Sequence, residues 1–276
     1  MLKRKSLLER WLAGSGAPHL AIVGRSGAGK TTLTKKIIGN LLNNTSNNKV
    51  VLDFDNEYSD LPLQVLTPPF PLPRGVSLSW LLSQAVRPFR EEGGGFGISG
   101  LLSLFLFEDD EDNMKIDEMI TRVKTDHTIP FNIRFAALWR LNIIKKFFVF
   151  DNHDYNSSSS RFDLSMIPDI RERQVVEQIL ASLIIDRSPG PLFLVIEEGV
   201  PGEWLSDVLM LARRRGVRII YVSQSLPPSS VLPSFEVVFF TPYFNTHPQL
   251  PLPINPSLDR GVWWIGALGV HRLSLG

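Results

Sequence analysis

The chain has 276 residues, no cysteine, five scattered histidines and a formal net charge of +1. That length suits one large α/β domain, or one carrying a sizeable insertion; disulfides, thiolate zinc sites and cysteine nucleophiles are excluded, and no His-x-x-x-His pair offers a metal centre. The near-neutral balance gives no general support for nucleic-acid binding, and no stretch approaches the roughly 18 apolar residues of a membrane span, so the expectation is a soluble, cytoplasmic protein with no integral membrane segment.

Residues 1–18 read as a short N-terminal helix with Leu7, Leu8, Trp11 and Leu12 on one face and Lys3, Arg4, Lys5 and Arg10 elsewhere. Packing of the apolar face on the core is the plainer expectation; a membrane-surface or DNA-contacting arm is the alternative. His19-Leu20-Ala21-Ile22-Val23 is a short β-prone run, and Gly24-Arg25-Ser26-Gly27-Ala28-Gly29-Lys30-Thr31 then fits the phosphate-binding loop G-x-x-x-x-G-K-[ST]. An amphipathic helix follows, which completes the strand–loop–helix context. Glycines in the loop let successive N–H groups turn inward around a polyphosphate. Lys30 is expected to reach the β- and γ-phosphates of ATP and Thr31 to ligate Mg²⁺, with Thr32 beside them among the nucleotide contacts.

The helix gives way to a polar turn at Asn43–Asn48, and 49–55 reads as a second buried strand. Asp53-Phe54-Asp55-Asn56-Glu57-Tyr58-Ser59 puts acidic groups at that strand's carboxyl end, the edge where open α/β sheets hold ligands. Five prolines among residues 61–73 exclude a long helix there. Between 76 and 146 the texture turns helical, with helices expected at 77–89, 113–126 and 131–146. The acidic run Glu108-Asp109-Asp110-Glu111-Asp112 reads as a solvated loop or helix flank.

Strand-like texture returns with Phe147–Phe150, and a helix is expected from about Asp169 to Ile185. Leu192-Phe193-Leu194-Val195-Ile196-Glu197-Glu198 is the second informative stretch, a strand ending in two carboxylates. Beside a phosphate loop, one carboxylate can orient Mg²⁺ through water and the next can polarise the attacking water, roles that fall to Glu197 and Glu198 respectively. A helix over 203–215 closes in Arg213-Arg214-Arg215; these arginines either complement the helix dipole or act as a finger on a neighbour's site. The strand from Val217 ends in Ser223-Gln224-Ser225, where Gln224 either senses the γ-phosphate or attacking water, or is a turn residue. A strand at 235–240, a Pro-rich loop and a terminal hairpin complete the chain. The expected organisation is an N-terminal helix (1–18), an ATPase core in two parts (19–75 and 147–276) and a helical insertion (76–146).

In this order the motifs resemble those of the HerA/FtsK superfamily of P-loop ATPases, most closely its HerA-like branch. Val51-Leu52-Asp53-Phe54-Asp55-Asn56-Glu57-Tyr58 is similar to that branch's acidic segment after the second strand, Leu194-Val195-Ile196-Glu197-Glu198 to its double-acidic Walker B, and Gly216–Gln224 to its strand-borne glutamine. The resemblance implies an α/β, RecA/HerA-like P-loop core with a mostly parallel sheet flanked by helices. It also implies Mg²⁺-dependent ATP hydrolysis, a homo-hexameric ring with sites between subunits, an arginine finger supplied in trans and double-stranded DNA in the pore. Arg213 is the first choice for that finger, and Lys35-Lys36 and Lys145-Lys146 are candidates for DNA contacts. The chain reads as a bare motor domain of viral or mobile-element type, with a nuclease, capsid or transfer apparatus as docking partner. Gly199-Val200 departs from the small-residue and histidine pattern that often follows the double acid. Two rival readings are a nucleotide-binding scaffold with little turnover and a small-molecule kinase, though no Arg-rich lid is evident for the latter.

Overall fold

The computed structural model describes residues 6–14, 16–73, 75–86, 116–150, 159–188, 190–197, 203–240, 261–267 and 269–273. Glu198, Gly199-Val200 and the acidic run 108–112 lie outside these residues. The described chain falls into two compact units: one drawn from Met1–Val51, Glu57–Pro62 and Ser188–Gly276, the other from Leu52–Asn56 and Leu63–Arg187.

The first unit is built on a sheet. Strands β1 (His19–Val23), β2 (Asn48–Asp53, shared at its end with the second unit), β7 (Leu192–Glu197), β8 (Val217–Ser223), β9 (Phe235–Phe240), β10 (Val262–Gly266) and β11 (Gly269–Leu273) lie side by side in the order β11-β10-β9-β1-β8-β7-β2. β9, β1, β8 and β7 are parallel, and β10 and β11 form an antiparallel hairpin on the β9 side. Every residue of β1, β7 and β9 is buried, which is why these strands read as continuous apolar runs without alternation. Burying a Leu, Ile or Val contributes roughly 1.5–3 kcal/mol relative to leaving it in water, so the central strands dominate the stability of this unit.

Helices follow the same logic. Helix α2 (Lys30–Asn44) buries Thr34, Ile37, Ile38 and Leu41, one stripe at helical spacing. Helix α7 (Glu203–Arg215) buries Trp204, Leu205, Val208, Leu209 and Ala212 and stops at Gly216, whose φ of 70° needs no Cβ penalty. The N-terminal helix α1 (Leu7–Leu12) opens with a reciprocal cap: Glu9 N–H donates to Ser6 Oγ at 3.2 Å and Ser6 N–H to Glu9 Oε2 at 2.6 Å. Its Trp11 is fully buried, donates Nε1–H to the Ala17 carbonyl at 3.0 Å and lies under the Arg218 guanidinium. α1 is therefore packed on its unit, in line with the plainer expectation.

The second unit holds β6 (Ser160–Asp163) paired in parallel with β3 (Gln64–Leu66), next to the end of β2, and a separate parallel pair of β4 (Phe70–Leu72) and β5 (Phe148–Phe150). Sequence patterning missed β3 and β4, because three-residue strands among prolines carry no period to detect. Helices α3 (Leu78–Val86), α4 (Ile116–Thr125), α5 (Phe131–Phe147) and α6 (Ile170–Arg187) complete the unit. α6 is buried without interruption from Val175 to Ile185 and packs on α3 and α5, with α5 in turn on α4.

Candidate functional site

β1 brings the chain to Gly24 at the carboxyl edge of the sheet, and the loop to Thr31 converts strand into helix. Gly24 has no space for a side chain, since a Cβ there would lie 2.8 Å from Cβ of Phe240 on β9. Gly27 and Gly29 have φ of 75° and 99°, and Gly29 is the N-cap of α2 with no side chain bonded to it. The helix start thus presents backbone N–H groups and the positive end of its dipole, a seat for an anionic group such as a phosphate. Lys30 is buried to 7 % exposure and donates from Nζ to the Arg25 carbonyl at 3.2 Å, so the lysine spans its own loop. Ala28 and Thr31 are half-buried, while Arg25, Ser26 and Thr32 are exposed.

The parallel register places two further elements at this edge. Val23 pairs with Ser223 of β8, and Val222 with Glu197 of β7. Gly24 N–H donates to the Ser223 carbonyl at 3.3 Å, so Gln224, the exposed next residue, begins beside the loop. β8 lies between β1 and β7, which sets Glu197 two strands, or about 10 Å, from β1. Glu197 is 3 % exposed. That spacing leaves room for phosphate, Mg²⁺ and water between acid and loop, and the donors at hand are oxygens, as Mg²⁺ requires. Among the described residues no three His, Cys, Asp or Glu cluster as a metal cage. A cation held partly by substrate phosphates fits that arrangement.

Arg213, Arg214 and Arg215 are exposed at the end of α7, just before β8 begins. β8 runs seven residues from there to Ser223, about 20 Å, so the arginines stand at the sheet edge opposite the phosphate loop. Consistently, the positive fields of Arg218 and Arg213 reach His19, the first residue of β1. Of the candidate DNA lysines, Lys35 pairs with Asp60 at 2.8 Å, Lys145 with Asp117 at 2.5 Å and Lys146 with Glu172 at 3.0 Å; Lys36 is exposed.

The acidic segment after β2 is divided in its roles. Asp53 is fully buried with its Oδ2 accepting from Arg161 Nη1 at 2.5 Å, and Asp55 accepts from Arg173 Nη1 at 2.8 Å. Glu57 does something else: its carboxylate accepts the hydroxyl proton of Thr31. The sequence marks the segment as acidic but assigns Glu57 no role. Only its place at a strand's carboxyl end points to it.

Residues 17–88, which contain the loop, α2, β2 and Glu57, match the family model described as Helicase HerA, central domain. No curated protein matches the chain. Among solved structures the chain is similar to VirB4 of Thermoanaerobacter pseudethanolicus, with 11 % identity and a TM-score of 0.55 over 74 % of this chain and 69 % of that one. It is similar also to the bacterial conjugative coupling protein TrwBdeltaN70 in complex with sulphate, with 14 % identity and a TM-score of 0.56 over 86 % of this chain and 74 % of that one. The unbound monoclinic form of TrwBdeltaN70 aligns with the same identity and TM-score over 82 % and 69 %. At such identities the likeness speaks for the fold, a mostly parallel sheet flanked by helices.

Proposed function

We propose that this chain, whose residues 17–88 match the central domain of helicase HerA, is a P-loop ATPase of HerA/FtsK type that hydrolyses ATP and uses the energy to move double-stranded DNA, acting as a homo-hexameric ring. One observation carries the reading: the phosphate loop, Glu197 and the Ser223-Gln224 strand end converge at one sheet edge, with β8 interposed between loop and acid. In this reading the loop N–H groups and Lys30 bind the β- and γ-phosphates, Lys30 exchanging the Arg25 carbonyl for substrate oxygens. Thr31 and Glu197 hold Mg²⁺, which when bound neutralises charge on the transferred phosphoryl group. Glu198 takes a proton from the attacking water, and Gln224 orients that water or reports on the γ-phosphate. Arg213 stands at the sheet edge opposite its own loop, and in this reading it serves the neighbouring subunit's γ-phosphate across a ring interface. The similarity to a conjugative coupling protein supports a role in DNA transfer, and docking to a transfer apparatus, capsid or nuclease belongs to the same proposal.

The test is steady-state ATP hydrolysis with and without double-stranded DNA, with particle size measured in the same buffer. The wild type should turn over ATP faster on DNA and sediment as a ring. Lys30→Ala and Glu198→Gln should each lose about a hundredfold or more in rate, and Arg213→Ala should restore partial activity only when mixed with subunits that carry an intact arginine. A particle that stays monomeric on DNA, or binds ATP with no turnover in any DNA condition, would overturn the motor and leave a nucleotide-binding scaffold.

A further inference from the structure

We propose that Glu57 is a positioning residue for the metal–nucleotide complex: by accepting a hydrogen bond from the Thr31 hydroxyl it turns the lone pairs of that oxygen toward Mg²⁺. The inference rests on the reading of this edge as a Mg²⁺–ATP site. A threonine hydroxyl has one proton to donate and two lone pairs. In a helix it ordinarily spends the proton on the carbonyl four residues back, as Thr34 does with Lys30 at 3.0 Å and Thr45 with Leu41 at 3.0 Å. Thr31 stands in the first turn of α2, where four residues back is Gly27 of the loop rather than a helical carbonyl. Glu57 supplies the acceptor instead.

Glu57 is held where it can do this. Three residues on, Asp60 receives Lys35 Nζ at 2.8 Å, one helical turn beyond Thr31, so the segment Glu57–Pro62 is tied to α2 at two successive turns. Tyr58 between them is fully buried, and Leu61 N–H closes a turn on the Tyr58 carbonyl at 3.1 Å. A carboxylate in this position also adds negative charge next to the phosphate seat. That charge attracts a divalent cation and repels a metal-free polyphosphate, so the two ligands should respond to its removal with opposite signs.

The experiment compares wild type, Glu57→Ala, which removes acceptor and charge together, Thr31→Ala and the double variant. Metal-free binding of a fluorescent ATP analogue is measured in EDTA, and Mn²⁺ binding to the protein–ATP complex is measured by electron paramagnetic resonance. Glu57→Ala should leave metal-free nucleotide affinity unchanged or tighter while weakening Mn²⁺ about tenfold. The same substitution should weaken Mn²⁺ by a smaller factor in the Thr31→Ala background, where only the charge effect remains. A Glu57→Ala protein with Mn²⁺ affinity within twofold of wild type, one that loses metal-free and metal binding equally, or an equal factor in both backgrounds, would overturn the proposal while leaving the ATP site standing. A wild type that binds no nucleotide under either condition would instead remove the ATP site itself.

Discussion

The buried carboxylate of Glu236 accepts the indole N–H of Trp264 at 2.7 Å through one oxygen and the backbone N–H of Ala17 at 2.9 Å through the other. It thereby joins β9, the terminal hairpin and the segment before β1 at one point. Gly266 makes room for it, because a Cβ there would come within 2.3 Å of the same carboxylate. Removing the acceptor strands two buried donors, each worth about 1–3 kcal/mol. Glu236→Ala should therefore lower stability by about 3 kcal/mol in urea unfolding, and Trp264→Phe on that background should cost less than it does alone. A loss below about 1 kcal/mol for Glu236→Ala would show that these bonds do not hold the hairpin.

Two glycines near the phosphate loop should respond to alanine in opposite directions. At Gly24 the new Cβ meets Phe240 at 2.8 Å, a contact between atoms close to two backbones. At Gly39, inside α2, nothing lies within 4 Å, and alanine is the better helix former by about 1 kcal/mol. Gly24→Ala is expected to weaken ATP binding about tenfold, since a distortion of about 1.4 kcal/mol in the loop suffices. Gly39→Ala should raise the melting temperature with ATP affinity unchanged. Calorimetry with and without ATP reads both.

His19 makes the first unit sensitive to acid. Burial lowers its pKa from 6.5 to about 4, with the positive fields of Arg218 and Arg213 adding to the effect and a backbone hydrogen bond with Leu209 opposing it. Its Nδ1 accepts the Ile219 N–H at 3.1 Å, which requires that nitrogen unprotonated. Between pH 6.5 and 4 the unfolded chain binds a proton that the folded chain refuses. Stability from this residue is thus complete above about pH 6.5 and lost as the pH falls to 4 and below, by about 3 kcal/mol in total. His19→Gln keeps an acceptor without a titrating group. Urea midpoints of wild type and variant should lie close together at pH 7 and separate toward about pH 4.5, near the lowered pKa, as the wild type alone loses this stability; parallel pH profiles would refute the assignment.

The phosphate loop was legible because its requirements are local. Gly27 and Gly29 answer torsions of the loop itself, and Lys30 and Thr31 follow at fixed offsets, although the demand at Gly24 also comes from Phe240, far along the chain. The central strands were legible for a related reason: full burial of His19–Val23 and Leu192–Glu197 leaves unbroken apolar runs that need no partner to be recognised. β3 and β4 were not, since their three residues each are stabilised by pairing to β6 and β5, far along the chain.

By itself, then, the sequence determined a strand–loop–helix unit, an acid-ended strand and helices between 76 and 146. Tertiary structure alone decided which of the acids after β2 reaches the glycine-rich loop's helix. Asp53, Asp55 and Glu57 look alike in one acidic segment, yet two are taken by Arg161 and Arg173 while the third reaches Thr31, 26 residues away. It also decided that β8 separates loop from acid, that Arg213 stands at the far edge, and that Glu236 bonds Ala17 across 219 residues. The physical reason is that backbone torsion and burial periodicity are written in near neighbours, whereas the partner of a polar side chain depends on strand order, which no local pattern encodes.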